Sequence, residues 1–474
     1  MPDSIAFDCL NYKRADNGVA FITIDLKDRP VNVLTPELHR ALGDVADYLA
    51  GDKIAIGAVI HSGKSSFMAG GDLKRIVRFY DMHRTPAEAY AQSRTYTESL
   101  RKLEICGKPV VVAINGDALG GGLELALAGH YRVVVDHPKI RLGLPEVTLG
   151  LLPGGGGTQR LPRLIGLKAA ADLILSGRYL NPVEALELGV VDQVVAGDDL
   201  LAEAEKWVLT AEGAQQPWDR KGFRIPGGSG LNNMSVGRLF QQLTAKVSAE
   251  HRHNYPAPIA ALRCLFNGST VSSMDAALKI ETREFSALTR DPVARNLIRT
   301  LFLNRGKTTR GQIMSEESAV LLKQRCEDAF MVQGSLMASD GIRPALIENA
   351  AFAAGMPKGP LAMAQESLEK FSSNRQTVDV ETVKQRLLCC QALAAAECWE
   401  QGLTDPVKAD LVSILGWGFP SYTGGVLSYI DTMGINAFIA LCDQLSEHSS
   451  ADFNPSGWLR RRAQENDRVY PSTD

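Results

Sequence analysis

The chain has little net charge, no patterned cysteines and no long apolar run. Its 51 basic and 54 acidic residues leave a net charge of −3, so charge gives no argument for binding nucleic acid or an anionic membrane. No apolar run is long enough to cross a bilayer, and the N-terminal residues lack a signal-peptide pattern. We therefore expect a cytoplasmic protein without a membrane span.

Several chemical motifs are also missing. The eight cysteines contain no C-x-x-C pair and no cluster with histidine, so we expect reduced thiols and no metal site. The adjacent Cys389–Cys390 pair is interpreted as part of a helix core, with a vicinal redox pair as the alternative. No G-x-S-x-G occurs. Gly63-Lys64-Ser65 ends like a phosphate-binding loop, but Ala58 stands where that loop requires glycine.

What is present is enough apolar sequence for several cores. The chain has 474 residues, of which 45% are hydrophobic, and this predicts two or more domains. In the first half, β-rich runs alternate with helical stretches. Strands are predicted at 19–24, 54–60, 109–114 and 131–135, and helices at 36–49 and 86–104. This alternation favours an α/β domain.

The second half is predicted to be helical. A turn-rich segment at 215–233 precedes helical patterning from 236 to 303, including an amphipathic stretch at 282–288. Helical sequence resumes near residue 314 and contains a weak repeat. Gly355–Leu361 is similar to Gly418–Pro420, which is followed by Gly424–Leu427. We interpret this part as two related helical units packed together.

Two glutamates stand in glycine-rich settings. Glu124 closes the segment Asn115–Glu124, which contains three consecutive glycines, and Glu146 closes Gly143-Leu144-Pro145-Glu146. A pair of carboxylates can divide acid and base work. Glycine amides at a helix N-terminus can stabilise negative charge on oxygen. The alternative interpretation is a pair of tight turns that carry surface glutamates.

Two further glycine clusters accompany the glutamates. Phe67–Leu73 places glycines before a helix-like stretch, and Gly154–Arg160 follows Glu146 closely. In this order, the four segments resemble the enoyl-CoA hydratase/isomerase (crotonase) family over about residues 5–210. The resemblance implies a crotonase-like ββα spiral in a core at residues 1–210, and binding of an acyl-CoA thioester.

The resemblance also implies roles for individual residues. It implies an oxyanion hole from the amides of Gly71 and Gly121, with Glu124 and Glu146 as the catalytic carboxylates. Further substrate-binding positions that it implies are Ala69, Gly70, Asp72, Leu73, Gly120 and Pro145. Lys64, Lys74 and Arg75 either contact the phosphates of CoA or form a solvated charged face.

The implied reaction is hydration of trans-2-enoyl-CoA to 3-hydroxyacyl-CoA in fatty-acid β-oxidation. Glu124 would deprotonate the water that attacks C3, and Glu146 would deliver a proton to C2. Glu146 alone could move a proton between C2 and C4, which would add isomerase activity. The alternatives are an enoyl-CoA isomerase or a non-catalytic acyl-CoA-binding assembly subunit. No cofactor is expected, because coenzyme A is part of the substrate.

The rest of the chain resembles parts of bifunctional fatty-acid oxidation enzymes, in which a hydratase is fused to an NAD-dependent dehydrogenase. Residues 211–310 resemble their linker and helical extension. Residues 311–373 and 374–474 resemble two units of the all-α dehydrogenase C-terminal domain, through motifs at 343–350, 355–360, 416–420 and 431–434.

The NAD-binding domain of those enzymes would begin near residue 310, but the sequence contains no G-x-G-x-x-G. We therefore expect a truncated multifunctional enzyme without 3-hydroxyacyl-CoA dehydrogenase activity. Its helical part is expected to serve structure or assembly. A homo-oligomer and a thiolase or dehydrogenase partner are the alternatives for its assembly.

Overall fold

The computed structural model describes residues 1–230, 233–307, 316–366, 377–447 and 449–470. The chain divides into two compact units. The first unit comprises Met1–Phe79, His83–Val247 and Pro256–Arg290, and the second comprises Tyr80–Met82, Ser248–Tyr255 and Asp291–Asp474. The domain boundaries predicted at 310/311 and 373/374 lie outside the described residues, as do residues 231–232 of the predicted linker.

The first unit is built on a seven-stranded sheet. The described strands of the unit, in this sheet and in a separate pair, are β1 Ser4–Phe7, β2 Leu10–Arg14, β3 Val19–Ile24, β4 Gly57–Ser62, β5 Val110–Ile114, β6 Ala118–Leu119, β7 Tyr131–Val135, β8 Leu142–Gly143 and β9 Gln193–Val195. The sheet order is β1-β2-β3-β4-β5-β7-β9, and β6 pairs separately with β8. The first two pairings are antiparallel and the remaining ones are parallel. All five residues of β5 are buried, as expected for a strand covered on both faces.

Helices follow the strands of the first unit. They are α1 Pro36–Gly51, α2 Leu73–Asp81, α3 Pro86–Glu104, α4 Gly121–Ala128, α5 Gly157–Ile165, α6 Leu167–Ser176, α7 Pro182–Leu188, α8 Leu200–Thr210, α9 Met234–His251, α10 Pro256–Ser269 and α11 Met274–Leu288. The sharp start of α3 has a local cause. Thr85 and Glu88 form a capping box, and Pro86 occupies the first helical position.

Most of the predicted elements are confirmed. The strands at 19–24 and 131–135 and the helix at 86–104 have the predicted bounds. The predicted strand at 54–60 is wrong at its start, since β4 begins at Gly57. Its ladder with β3 begins where Val19 pairs with Gly57, and among the described residues only the amide of Ile56, which donates to the carbonyl of Gly18, extends the contact before it. Ile54 and Ile56 are accordingly 61% and 45% exposed.

The described residues of the second unit are mostly helical. Its α-helices include Pro292–Leu297, Glu317–Ser339, Pro344–Ala353, Pro360–Met363, Val380–Glu400, Pro406–Val412, Val426–Met433, Ile435–Glu447 and Gly457–Gln464. The two longest, Glu317–Ser339 and Val380–Glu400, pack against each other. Both contribute side chains to one apolar core, such as Phe330 and Leu387.

Two glycine–proline turns of the second unit contact each other. A Cβ atom on Gly355 would lie 3.4 Å from Cβ of Pro420, and one on Gly418 would lie 2.8 Å from Cγ of Pro357. Both glycines have positive φ, 95° and 76°, which other residues adopt at a cost. The segments identified as a weak sequence repeat therefore pack reciprocally, each glycine against the proline of the other.

The cysteines are all free thiols. Cys389 is buried, and its Sγ lies 3.4 Å from Sγ of Cys442, the neighbour of Cys389 across the core. Among the described residues, no single helix meets the length and hydropathy expected of a membrane span. The pair Val426–Met433 and Ile435–Glu447 meets them only when joined, across a bend of 102°.

Candidate active site

The two glycine turns ahead of α2 and α4 lie in contact. The amide of Met68 donates to the carbonyl of Asp117, and the amide of Leu119 donates to the carbonyl of Met68. A Cβ atom on Gly70 would lie 3.8 Å from Cα of Gly120. The segments predicted to hold the oxyanion donors are therefore side by side.

The described backbone hydrogen bonds around Gly71 and Gly121 do not use the amides of these two residues. In the part of the chain that the structure describes, neither donates a hydrogen bond to another protein group. Leu34 pairs with the residues on both sides of Gly71. Its amide donates to the carbonyl of Gly70, and its carbonyl accepts from the amide of Asp72. Gly121 is the first residue of α4, where helix amides are free and the dipole favours negative charge.

Tyr96 fixes the first turn of α4. Its hydroxyl donates to the carbonyl of Gly121 at 2.7 Å, and its ring stacks on His39 with centroids 4.6 Å apart. Burial and the nearby charge of Glu124 raise the pKa of Tyr96 well above its ordinary value. Burial lowers the pKa of His39 to about 4. Both side chains are therefore neutral around the turn.

Glu124 lies on α4 and is 2% exposed. Its Oε1 accepts from the amide of Gly155 at 2.6 Å and from the amide of Gly157 at 2.8 Å. Burial raises the pKa of Glu124 to about 7, although these amides and Arg160 lower it. The carboxylate is therefore oriented by two donors and gains or loses its proton near neutral pH.

Glu146 begins a short 3₁₀ turn, Glu146–Leu149. Its Oε1 lies 2.5 Å from where a Cβ on Gly120 would stand. Its Oε2 is buried and has no hydrogen-bond partner in the described structure. Burial, and then the negative charges of Glu124 and Glu281, raise the pKa of Glu146 well above its ordinary value. Glu146 is thus suited to carry a proton.

Glu281 on α11 is a further carboxylate beside the site, and no motif in the sequence marks it. It is 0% exposed, and it accepts hydrogen bonds from the amides of Gly156 and Thr158 and from the Thr158 hydroxyl. Burial and the charge of Glu124 raise its pKa to about 8. Its signal in the sequence is an acidic residue on the buried face of an amphipathic helix, beside Leu278 and Thr282.

The glycine-rich loop before α5 joins two of these carboxylates. Gly155 and Gly157 point their amides at Glu124, whereas Gly156 points its amide at Glu281. Behind the loop, Arg160 donates to the carbonyl of Gly155.

The Arg160 side chain is itself held by Glu104, with Nε 2.7 Å from Oε1. Both side chains are fully buried, and a buried charge is stable only when it is paired. The loop thus contacts acidic groups on its amide side and a guanidinium on its carbonyl side.

The other apolar residues predicted to bind substrate lie in or next to the two glycine turns. Ala69 and Gly70 lie in the first turn, Gly120 in the second, and Pro145 directly before Glu146. Leu73 begins α2.

Three predicted polar residues have different surroundings. Asp72 is ion-paired with Arg29 at 2.9 Å. Lys64 is ion-paired with Asp25 at 2.8 Å. The negative charge of Asp25 weakens the attraction of Lys64 for a phosphate. Lys74 is exposed, so it remains the less constrained of these two lysines.

Comparison with known proteins gives a family for the first part of the chain. Residues 14–216 match the family model described as enoyl-CoA hydratase/isomerase. The fatty acid oxidation complex subunit alpha of Shewanella baltica is 38% identical over 281 residues, and that of Shewanella loihica is 40% identical over 279. These matches cover 59% and 58% of this chain and 38% of each relative. The matched region therefore spans well under half the length of these curated relatives.

Solved structures with similarity include DspI of Pseudomonas aeruginosa and an enoyl-CoA hydratase from Bacillus anthracis. The first is 30% identical and covers 44% of this chain and 77% of that one, with a TM-score of 0.40. The second is 24% identical and covers 64% of this chain and 97% of that one, with a TM-score of 0.38.

Proposed function

We propose that this chain adds water to a trans-2-enoyl-CoA to give a 3-hydroxyacyl-CoA. The proposal starts from residues 14–216, which form a domain of the enoyl-CoA hydratase/isomerase family. One observation carries the proposal. The buried carboxylate of Glu124 and the carboxyl group of Glu146, whose Oε2 is buried, lie close to the turns that present the unpaired amides of Gly71 and Gly121. A role in fatty-acid β-oxidation is supported by the relatives that are fatty acid oxidation complex subunits.

The amides of Gly71 and Gly121 would bind the thioester carbonyl oxygen. As water attacks C3, the π electrons of the C2–C3 bond move toward that oxygen and give it enolate character. Preorganised N–H donors stabilise such developing charge, because they need no reorientation during the reaction. The positive end of the α4 dipole adds to this effect at Gly121.

Glu124 would act as the base. Its Oε1 is occupied by two loop amides, which leaves Oε2 to accept a proton from the attacking water. A carboxyl group with a pKa of about 7 is about half ionised at pH 7, and its carboxylate is a stronger base than that of an ordinary glutamate.

Glu146 would act as the acid. Burial and the charge of Glu124 raise its pKa and favour its protonated form, which would give its proton to C2 as the enolate collapses. Glu124 gains a proton in the reaction and Glu146 loses one. Proton exchange then restores the starting protonation state of both groups. Carboxyl groups that interact through their charges favour this division, because they do not ionise together.

The second candidate function is isomerisation of a 3-enoyl-CoA to a 2-enoyl-CoA. It is favoured by the unpartnered Oε2 of Glu146, since the ionised form of this one carboxyl group can take a proton from C2 and return it to C4. The remaining alternative is a non-catalytic subunit that binds acyl-CoA and assembles with a partner.

The helical second unit resembles a dehydrogenase C-terminal domain in its sequence, and we propose a structural or assembly role for it. A second copy of the chain, a thiolase or a dehydrogenase would be its partner. We propose no cofactor, because carboxylates and amides suffice for the hydration. A cytoplasmic location is supported by the eight free thiols, which reducing compartments maintain.

The test is hydration of a short trans-2-enoyl-CoA by the purified chain, followed as loss of absorbance of the conjugated thioester. Turnover by the parent chain, and its loss in Glu146→Gln, would support the proposal. Binding without turnover would favour the assembly subunit. Product analysis with a 3-enoyl-CoA separates hydratase from isomerase, because only an isomerase converts that substrate directly.

A further inference from the structure

The carboxylate of Glu281 has no part in the hydration as described, yet it is fully buried beside the site. We propose that Glu281 is a positioning residue, which fixes the orientation of Glu124 by holding the glycine loop between them. The inference rests on the proposed function and deepens it.

The loop shares its amides between the two carboxylates in alternation. Oε1 of Glu124 accepts from Gly155 and Gly157. Oε1 of Glu281 accepts from Gly156, and its Oε2 accepts from Thr158 through the amide at 2.9 Å and the hydroxyl at 2.5 Å. Successive peptide units thus face opposite carboxylates, and rotation of one unit would disturb the bonds of both.

The peptide unit between Gly155 and Gly156 is held at both of its ends. Its N–H donates to Glu281, and its carbonyl oxygen accepts from Arg160. This peptide lies between the two amides that bind Glu124. When it is fixed, the N–H groups on either side of it keep their aim at Oε1 of Glu124.

The loop cannot be stiffened from within. Gly156 has a φ of 105°, which disfavours any residue with a side chain. A Cβ atom on Gly155 would lie 2.2 Å from Cε1 of Tyr96 and 2.8 Å from Oε2 of Glu124. The site therefore requires the most flexible residue type at positions that must be rigid, and the rigidity has to come from outside contacts.

Glu281 supplies these contacts through two acceptor oxygens. Burial and the charge of Glu124 raise its pKa, and the hydrogen bonds from Thr158 and Gly156 lower it. Its two oxygens accept from three donors, and this compensates for the burial of the carboxylate. Several elements carry charged groups that affect the pKa of Glu281, or titratable groups whose pKa Glu281 affects. They include Glu124, Glu146, Tyr96, Arg160, Arg163 and Cys264.

The test compares Glu281→Gln with Glu284→Gln in the full chain. Glutamine has the shape of glutamate, but its NH₂ group would face either the Gly156 amide or the Thr158 donors, so one set loses its acceptor. Glu284 is on the same helix and is ion-paired with Arg283, outside the loop, and it serves as the matched control.

We expect Glu281→Gln to lower kcat for enoyl-CoA hydration by about tenfold, the size expected when one buried donor loses its acceptor. The KM and the Kd for a saturated acyl-CoA should stay within about twofold, because the amides of Gly71 and Gly121 are untouched. Glu284→Gln should match the parent chain in all three quantities.

An unchanged kcat in Glu281→Gln would overturn the inference. A parallel loss of kcat and of acyl-CoA affinity would also overturn it, since that indicates general distortion of the domain. Failure of the parent chain to hydrate any enoyl-CoA is a different result, which refutes the proposed function itself.

Discussion

The Oε1 atom of Glu146 lies 2.5 Å from the position that a Cβ atom on Gly120 would occupy. The space that glycine leaves at position 120 is therefore taken by the carboxyl group proposed to carry the proton. Gly120 also has positive φ, 54°, and directly precedes α4 with its amide at Gly121. One backbone position thus determines where the acid and an oxyanion donor stand.

Gly120→Ala is expected to lower kcat/KM for hydration by about a hundredfold, because displacing a catalytic group by an ångström has an effect of that order. Gly107→Ala is the control. Gly107 also has positive φ, 79°, but nothing lies within 4 Å of the added methyl group. Gly107→Ala should lose about 1–2 kcal/mol of stability, the cost of a positive φ, and Gly120→Ala should lose more, because its methyl group also meets the carboxyl group of Glu146. Equal activity losses would contradict the assignment.

Glu146→Gln is expected to abolish both hydration and isomerisation while acyl-CoA binding remains. General acid–base catalysis contributes about 10²- to 10⁴-fold, so the rate should fall by that factor. The measurement is steady-state turnover of a 2-enoyl-CoA and a 3-enoyl-CoA, with calorimetry of a saturated acyl-CoA. Normal hydration by this variant would refute the role of Glu146.

Tyr96→Phe is expected to lower the free energy of unfolding by about 1–3 kcal/mol, because the carbonyl of Gly121 loses its buried donor. The kcat should fall as well, since this carbonyl lies in the first turn of α4. Tyr48→Phe also removes a bond to a backbone carbonyl, that of Pro2, but in an exposed place. It should change both quantities little, as checked by chemical denaturation and turnover.

The pH profile of kcat/KM should be bell-shaped. Glu124 must be ionised to act as a base, and its pKa of about 7 predicts that the rate falls as the pH drops through about 7. Glu146 must be protonated, and burial and the charge of ionised Glu124, which raise the pKa of Glu146, predict a second fall as the pH rises further. Initial rates between about pH 5 and pH 9 test this. A rate that rises on acidification below pH 7 would exclude Glu124 as the base.

The purified chain should not reduce NAD when given a 3-hydroxyacyl-CoA. The expectation follows from the sequence, which contains no G-x-G-x-x-G to cradle the pyrophosphate. The assay is absorbance of the reduced nicotinamide, with an added 3-hydroxyacyl-CoA dehydrogenase as the positive control. Reduction by the chain alone would show that the expectation is wrong.

The sequence predicted those elements whose boundaries have local causes. The helix Pro86–Glu104 begins where Thr85 and Glu88 form a capping box, and both residues are visible in the sequence. The start of β4 is different, because it is set by the register with Val19 of β3. Ile54 and Ile56 have strand propensity, but propensity carries no information about where a partner strand begins.

The same distinction applies to the candidate site. Glu124 and Glu146 were recognisable because glycine motifs surround them. Glu281 has no such motif, and it binds Gly156 from 125 residues away along the chain. An acidic residue on the buried face of a helix is the signal that it offers, and that signal does not name the partner.

The two glycine–proline turns of the helical unit depend on each other. Gly355 is covered by a proline of the second repeat, and Gly418 by a proline of the first. Each segment therefore covers the glycine turn of the other with its proline ring. Removal of either segment would uncover the glycine turn of the other, so we expect the two segments to be stable only together.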